Sequence, residues 1–265
     1  MQLISDSGSI KNLLVFISAG DLAEATLRAA SSADTTNRPY DLSICYYGEN
    51  DVRAETYREL ATSGLFFRRK GSKLQNFHAF WEEYFADCGY EYVYLMDDDI
   101  KLSSSEISEL FRIHAEHHLD VSQPAFLPSG KISHKLTEWV PGNVLRWTNF
   151  IEITAMLFSH NALVRCMDVY DPRLVGYGID YLFLWALDPE RERAYAVIDA
   201  VTSVNPNEKY KYAAAGRAPG PREIEAVQAL KHRRLTWEAL AQEKGIKTWK
   251  HKVFGVVAAT SSPAE

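Results

Sequence analysis

The chain has 265 residues, enough for one large α/β domain with a full hydrophobic core or for two small domains. Its 46% apolar and 24% charged residues are the balance of a globular protein, and a net charge of −6 offers no basic excess to displace counterions from a nucleic acid. Cys45, Cys88 and Cys166 are widely spaced and odd in number, which predicts three buried thiols in a reducing cytoplasm and no disulfide framework.

Residues 1–10 are small and polar and read as loose. The run from Asn12 to Ser18 is continuously apolar, as a buried parallel strand should be, and a helix capped by Asp21 follows to Ala30. Tyr40 to Tyr47 reads as a second strand and Leu65 to Arg68 as a short third. Leu74 to Phe85 has helical spacing, and Glu91 to Met96 is a buried strand that runs straight into Asp97, Asp98 and Asp99. This strand–helix alternation predicts a doubly wound, mostly parallel sheet over the first hundred residues. Ser103 to His118 reads as a helix capped by Ser104 or Ser105, and residues 121–158 as an irregular antiparallel section. Leu163 to Met167 belongs to a helix, and Arg193 to Val201 is strand-like. AAAGRAPGP, residues 213–221, is a linker, Arg222 to Gln242 a long helix, and the final ATSSPAE a disordered tail.

Three adjacent carboxylates at a strand end repel one another unless a cation sits among them. Mg²⁺ or Mn²⁺ prefers oxygen ligands and is held by one or two carboxylates together with substrate phosphates. Such an ion would screen the charge that grows on a departing diphosphate. Downstream, FIEI (150–153) sets Glu152 in an apolar stretch, where an unpaired carboxylate is costly to bury and where an alternating strand would turn it to a cleft. In GYGID (176–180) two glycines permit close backbone approach just before Asp180.

YLMDDDI (94–100) resembles the strand-DxD element of GT-A glycosyltransferases. The resemblance implies that Asp97 lies near the nucleoside, that Asp99 is the main metal ligand with Asp97 as a further one, and that Asp98 partners it or faces the sugar. GSKLQN (71–76) resembles the basic segment upstream of the DxD, which makes Lys73 the candidate donor contact, with Asn76 beside it. GYGID resembles the GWG-x-[ED] element, whose acid meets the acceptor and serves as base in inverting transfer. SQPAF (122–126), FIEITAMLFSH (150–160) and GYGIDYLFLW (176–185) together look like a domain family of plant and bacterial GT-A-like proteins without assigned function, from about Leu13 to Asn205. One departure is Asn205, in AYAVIDAVTSVNP (194–206), where many GT-A enzymes carry a metal-binding histidine. Asn is a poorer ligand for a transition metal.

The implied fold is a GT-A-like, Rossmann-like α/β sheet flanked by helices, with a smaller antiparallel section and a C-terminal helix. Residues 1–212 form the catalytic domain, with a donor half at about 11–102 and an acceptor half at about 120–205. A linker at 213–221 and a helical extension with a tail at 222–265 follow. The implied activity is transfer of a sugar, from a UDP-sugar in preference to other nucleoside diphosphate sugars, to the hydroxyl of a saccharide or other acceptor, assisted by Mn²⁺ or Mg²⁺. Asp180 is the expected base and Glu152 the runner-up. Lys209, after the late strand, is a further candidate for the diphosphate. No apolar run reaches the roughly 18 residues of a membrane span, and the N-terminus does not read as a secretory signal. The expected place is the cytoplasm, with peripheral contact at the inner face of a membrane allowed.

Two other functions fit the triplet. A haloacid-dehalogenase-like phosphatase would use Asp97 and Asp99, but Lys101 stands where that motif carries Thr. A nucleotide-sugar-binding module without turnover is the second. A nicotinamide enzyme is excluded because SAGDLAE (18–24) lacks GxGxxG. His114, His117 and His118 have zinc-like spacing without a partner and read as a solvated helix face. His134 reads as a loop residue. Lys231 to Arg234 reads as a charged helix face that could also grip a diphosphate.

Overall fold

A computed structural model describes residues 12–31, 38–206 and 221–259, with side chains from residue 228 onward in the last segment. The N-terminal stretch expected to be loose, the linker up to residue 220, Lys209 and the tail from residue 260 lie outside the described residues. In chain order the elements are β1 (Leu13–Ala19), α1 (Glu24–Ser31), β2 (Asp41–Tyr46), α2 (Asp51–Leu60), β3 (Phe66–Arg68), α3 (Lys73–Phe80) and β4 (Tyr92–Asp97). Then come α4 (Ser104–Glu116), β5 (Val121–Phe126), β6 (Asn143–Thr148), β7 (Ala155–Ser159), α5 (His160–Val169), α6 (Ile179–Leu187), β8 (Tyr195–Ser203), α7 (Pro221–Lys244) and β9 (Val253–Ala258).

All nine strands join one sheet in the order β3-β2-β1-β4-β7-β5-β8-β6-β9. The first four are mutually parallel, so their carboxyl ends, at Ala19, Tyr46, Arg68 and Asp97, share one edge. β7 runs antiparallel to β4 and pairs Ala155 with Met96, which brings the segment before β7 to that same edge.

Side-chain alternation explains the continuous apolar runs. In β1, Leu14 and Phe16 enter one core, while Leu13, Val15 and Ile17 enter the other. β4 divides likewise, Val93 and Leu95 against Tyr94 and Met96. Helices α1, α2 and α4 cover one face through Leu27, Tyr57 and Leu110, and α3, α5, α6 and α7 cover the other through Phe77, Leu163, Phe183 and Trp237. A strand buried on both faces has no polar side to show.

The chain departs from the sequence reading in several places. The predicted helix 74–85 is α3 followed by a π-helical turn at Trp81–Phe85. α4 is capped by Ser103, whose Oγ accepts from Glu106 N at 3.3 Å. His114 is not on a solvated face: it is buried, with Nδ1 2.8 Å from Ser122 Oγ, and burial pushes it down to about 3. Cys45 and Cys166 are buried, but Cys88 is exposed. Among the described residues no helix is long and apolar enough to cross a membrane.

Candidate active site

β4 leaves the core at Asp97, and a turn closed by Ile100 N to Asp97 O at 3.3 Å carries Asp98 and Asp99. Ile100 and Leu102 are buried and pin the turn from beneath. Ser203 Oγ, at the end of β8, donates to Lys101 O at 3.2 Å and ties the late strand to the same spot.

The three carboxylates have three environments. Asp97 meets Lys73 Nζ at 2.6 Å. Asp98 Oδ2 accepts from Gly20 N at 2.7 Å and from Tyr47 Oη at 3.0 Å, so it is fastened to the ends of β1 and β2. Burial raises its pKa, against the pull of these two donors. Asp99 is exposed, and its carboxylate is reached by its own backbone N–H but by no other residue's donor among the described residues. Its pKa is pushed up to about 6, first by desolvation and then by the charges of Asp97 and Asp98.

Lys73 opens α3 after Gly71 and Ser72, with Gln75 Oε1 accepting from Ser72 N at 3.0 Å. Its ammonium also donates to Ile153 O at 2.7 Å, Thr154 O at 3.0 Å and Leu95 O at 3.3 Å. An ammonium has three protons, and the fold uses them. Lys73 is thus a nearly buried clamp between β4 and the segment before β7. Asn76 is fully buried behind the loop: its amide donates to Ser18 Oγ at 2.7 Å and accepts from Arg69 Nη1 at 2.9 Å.

Glu152 lies in the segment between β6 and β7 and not on an alternating strand as expected. Gln123 Oε1 accepts from its backbone N at 2.6 Å, and its Oε1 accepts from Thr154 Oγ1 at 2.9 Å. Oε2 is buried without a partner among the described residues. Burial raises the pKa of Glu152, and the charge of Asp97 adds to that against the lowering by Thr154, Ser133 and Lys131.

Asp180 sits in the first turn of α6. Gly178, at φ +87°, is the residue before that helix, and Gly176 has φ +135°. The two glycines answer different needs. A Cβ on Gly178 would stand 2.2 Å from the Trp237 ring of α7, whereas one on Gly176 would meet nothing within 4 Å. Gly178 is therefore a packing glycine, and Gly176 borders open space. Asp180 Oδ1 accepts from Tyr181 N at 2.9 Å. Its pKa is pushed up to about 7, by burial first and by the charge of Glu152 next. Mutual repulsion between Asp97, Glu152 and Asp180 thus links β4, the β6–β7 segment and α6.

A cleft of about 680 Å³ opens at the carboxyl edge of the parallel strands. Its lining includes Ser18, Tyr47, Gly71 to Gln75, Asp97, Asp98, Ile153, Val175, Gly176, Ile179 and Arg233. Ligands of open α/β sheets bind at that edge. A concavity of about 560 Å³ between Tyr90, Tyr92 and His160 lies at the amino end of β4, the opposite edge. Of the expected site residues, Lys73, Asp97 and Asp98 line the cleft; Asn76, Asp99, Glu152, Asp180 and Asn205 do not. Asn205 is mostly buried, and its carbonyl accepts from Lys131 N at 2.7 Å. Tyr47 and Arg233 are cleft residues that the sequence reading did not select. A tyrosine at a strand end carries no local mark of its bond to Asp98, whereas the basic run around Arg233 was visible but looked like an ordinary charged face.

Among the described residues no group of three or more His, Cys, Asp or Glu side chains is arranged to hold a metal by itself. The donor set still fits Mg²⁺ or Mn²⁺, which need only one or two carboxylates when substrate phosphates complete the shell. The donors are all oxygen, and only its own backbone N–H and the through-space charge of Lys73 offset the raised pKa of Asp99.

The model of a family described as "Protein of unknown function (DUF707)" matches residues 86–146, a stretch that holds β4 with the triplet, α4, β5 and part of β6. No curated protein sequence matches the chain significantly. Among solved structures, the chain is similar to TarS of S. aureus, at TM-score 0.55 and 12% identity over 74% of this chain and 36% of that one. It thus spans about a third of the length of that protein. It is also similar to the mannosyltransferase PcManGT from Pyrobaculum calidifontis, in complex with GDP-Man and Mn²⁺, at TM-score 0.54 and 13% identity over 90% and 76% of the two chains. A third similar structure is S. aureus TarS 1-349 in complex with UDP-GlcNAc, at TM-score 0.51 and 12% identity over 82% and 64%. At such identities the likeness speaks for the fold: the chain has the mixed α/β fold of the GT-A nucleotide-sugar transferases and, around its aspartate triplet, resembles the DUF707 family.

Proposed function

We propose that the protein is a glycosyltransferase that moves a sugar from a nucleoside diphosphate sugar, with UDP-sugars favoured, to an acceptor hydroxyl. The observation that carries this reading is the aspartate triplet at the carboxyl edge of β4, whose Asp97 and Asp98 line a cleft, together with two nearby buried acids, Glu152 and Asp180. Asp99, with Asp97, would hold Mn²⁺ or Mg²⁺, and Asn205 is the late-strand candidate. When bound, the ion supplies charge that stabilises a leaving diphosphate. Lys73 orients Asp97 through their ion pair. Asp98, fastened to Gly20 and Tyr47, fixes the turn against the ends of β1 and β2.

Inverting transfer is slightly favoured, because the chain carries an acid suited to proton removal. Asp180 is held near neutrality by burial and by Glu152, so it is ionised in part at pH 7 and takes up a proton readily. Glu152, buried in the segment before β7, is the alternative acceptor. We read residues 1–212 as the catalytic part, with donor and acceptor halves at about 11–102 and 120–205, and residues 222–265 as an extension beyond the linker. Its strand β9 pairs with β6 at the edge of the sheet, which supports a role in completing the acceptor side. Lys209 remains a candidate for the diphosphate. The proposed place is cytoplasmic, with peripheral membrane contact allowed.

The test is transfer and donor hydrolysis with UDP- and GDP-sugars in the presence of Mn²⁺. Metal-stimulated release of a nucleoside diphosphate is expected. Tight binding of the nucleotide without any release would favour the non-catalytic module, and hydrolysis of aryl phosphates alone would favour a phosphatase.

A further inference from the structure

We infer that Arg233 of α7 is the cation that pairs with the donor diphosphate, so that the C-terminal helix completes the donor site. The inference rests on the proposed reading of the cleft as a nucleoside diphosphate site. α7 docks by one stripe: Trp237, Leu240 and Ala241 are buried in the core that α3, α5 and α6 share. Successive residues of a helix turn by about 100°, so residue i and residue i+4 share a face. Arg233 is therefore the next residue of that same stripe, one turn toward the N-terminus. Burial along the stripe ends there, and Arg233 lines the cleft together with Gly71, Ser72 and Asp97.

The charges of the cleft point the same way. Lys73 and Arg233 are the cations among its lining residues. Lys73 is already spent on Asp97 and three backbone carbonyls. Arg233 is exposed and makes no ion pair or hydrogen bond among the described residues. Its neighbour Arg234 lies over the Tyr177 ring at 5.5 Å and is not among the cleft's lining residues. A diphosphate carries more negative charge than a single divalent ion offsets, and a guanidinium matches two phosphate oxygens at once. The docking of Trp237 on Gly178 holds the helix that presents this group.

The experiment is calorimetric titration of UDP, GDP, ADP and CDP, each with Mn²⁺, into wild type, Arg233→Gln, Arg233→Lys and Lys231→Gln. Lys231 is exposed and lies on the opposite side of α7, so its variant makes the same change in net charge away from the cleft. For whichever nucleotide the wild type binds, Arg233→Gln is expected to weaken binding by about tenfold to a hundredfold, the range for a charge-assisted hydrogen bond. Arg233→Lys should recover part of the loss, and Lys231→Gln should bind as wild type. Melting temperatures should be unchanged, since Arg233 has no contacts to lose. Equal binding by wild type and Arg233→Gln overturns the inference and leaves the function standing. So does an equal loss in Lys231→Gln, which would mean a nonspecific charge effect. If the wild type binds none of these nucleotides with Mn²⁺, the functional reading falls and this inference with it.

Discussion

Asp180 destabilises the fold that carries it. Its carboxylate is buried, accepts backbone hydrogen bonds from Tyr181 and from its own N–H, and faces the charge of Glu152. A folded-state pKa raised to about 7 from 3.8 means that between those values the native state holds a proton the unfolded chain has lost. Stability from this group is thus complete below about pH 4 and is lost as pH rises toward 7. Asp180→Asn should therefore melt several degrees higher than wild type at pH 8, and the gap should close as pH falls toward 4. Turnover should fall by a factor of about 10² to 10⁴, the range for a positioned general base. The wild-type rate should climb with pH through about 7. A variant that melts lower at pH 8, or that turns over normally, contradicts this account of Asp180. Gly178 makes the opposite case. Gly178→Ala should cost about 1–3 kcal/mol, because the new methyl meets the Trp237 ring in a well-packed core and the backbone has a positive φ. Thermal or urea denaturation reads the loss, and a variant as stable as wild type would place Trp237 elsewhere. Both residues were visible in the motif GYGID. The reason for the second glycine was not, because the ring that fills its place comes from a distant helix.

Between elements, a buried ion pair links β6 and β8. Arg146 Nε donates to Asp199 Oδ2 at 2.8 Å and Nη2 to Oδ1 at 3.0 Å, while its other protons reach Leu136 O at 2.8 Å and Glu138 O at 2.7 Å. Val140 N adds a donor to Asp199 at 3.0 Å, so both charges are buried and satisfied. Removal of one partner strands the other. Asp199→Ala should destabilise the protein by about 3–5 kcal/mol, with Arg146→Met less costly than Arg146→Ala since it refills the volume. Chemical denaturation decides this, and a loss below about 1 kcal/mol would show that the pair is solvated in solution. Neither residue stood out in sequence, since a charge inside VLRWT or YAVIDA is ambiguous until the strands pair. The same ambiguity hid α6: IDYLFLWAL is apolar on nearly all sides because it is sunk in the core, so it lacks the polar stripe that marks a surface helix. α2 was hidden for the converse reason, as it buries little beyond Ala54 and Tyr57. β9 is short and partly exposed, and its place is set by non-local pairing with β6.

At the scale of the whole molecule, the parallel half was legible because each of its inner strands is covered on both faces and must be apolar throughout. The insertion of β7 between β4 and β5 was not, for sheet order is decided by contacts far apart in sequence. That insertion is what sets Glu152 and Thr154 beside the triplet. The triplet itself could be found from the strand that precedes it. Its division of labour could not: Asp97 is held by Lys73, Asp98 by the ends of β1 and β2, and Asp99 takes only its own backbone N–H among the described residues. The central claim is that this edge binds a nucleoside diphosphate through a divalent ion held by Asp99. Calorimetry of UDP and GDP against wild type and Asp99→Ala, with and without Mn²⁺, tests it most directly. The account predicts binding in wild type that requires Mn²⁺ and is lost in Asp99→Ala, with the melting temperature of the variant unchanged or raised because a repelling charge is gone. Binding of the Mn²⁺ complex by Asp99→Ala as tightly as by wild type, or wild-type binding that ignores the metal, would contradict it.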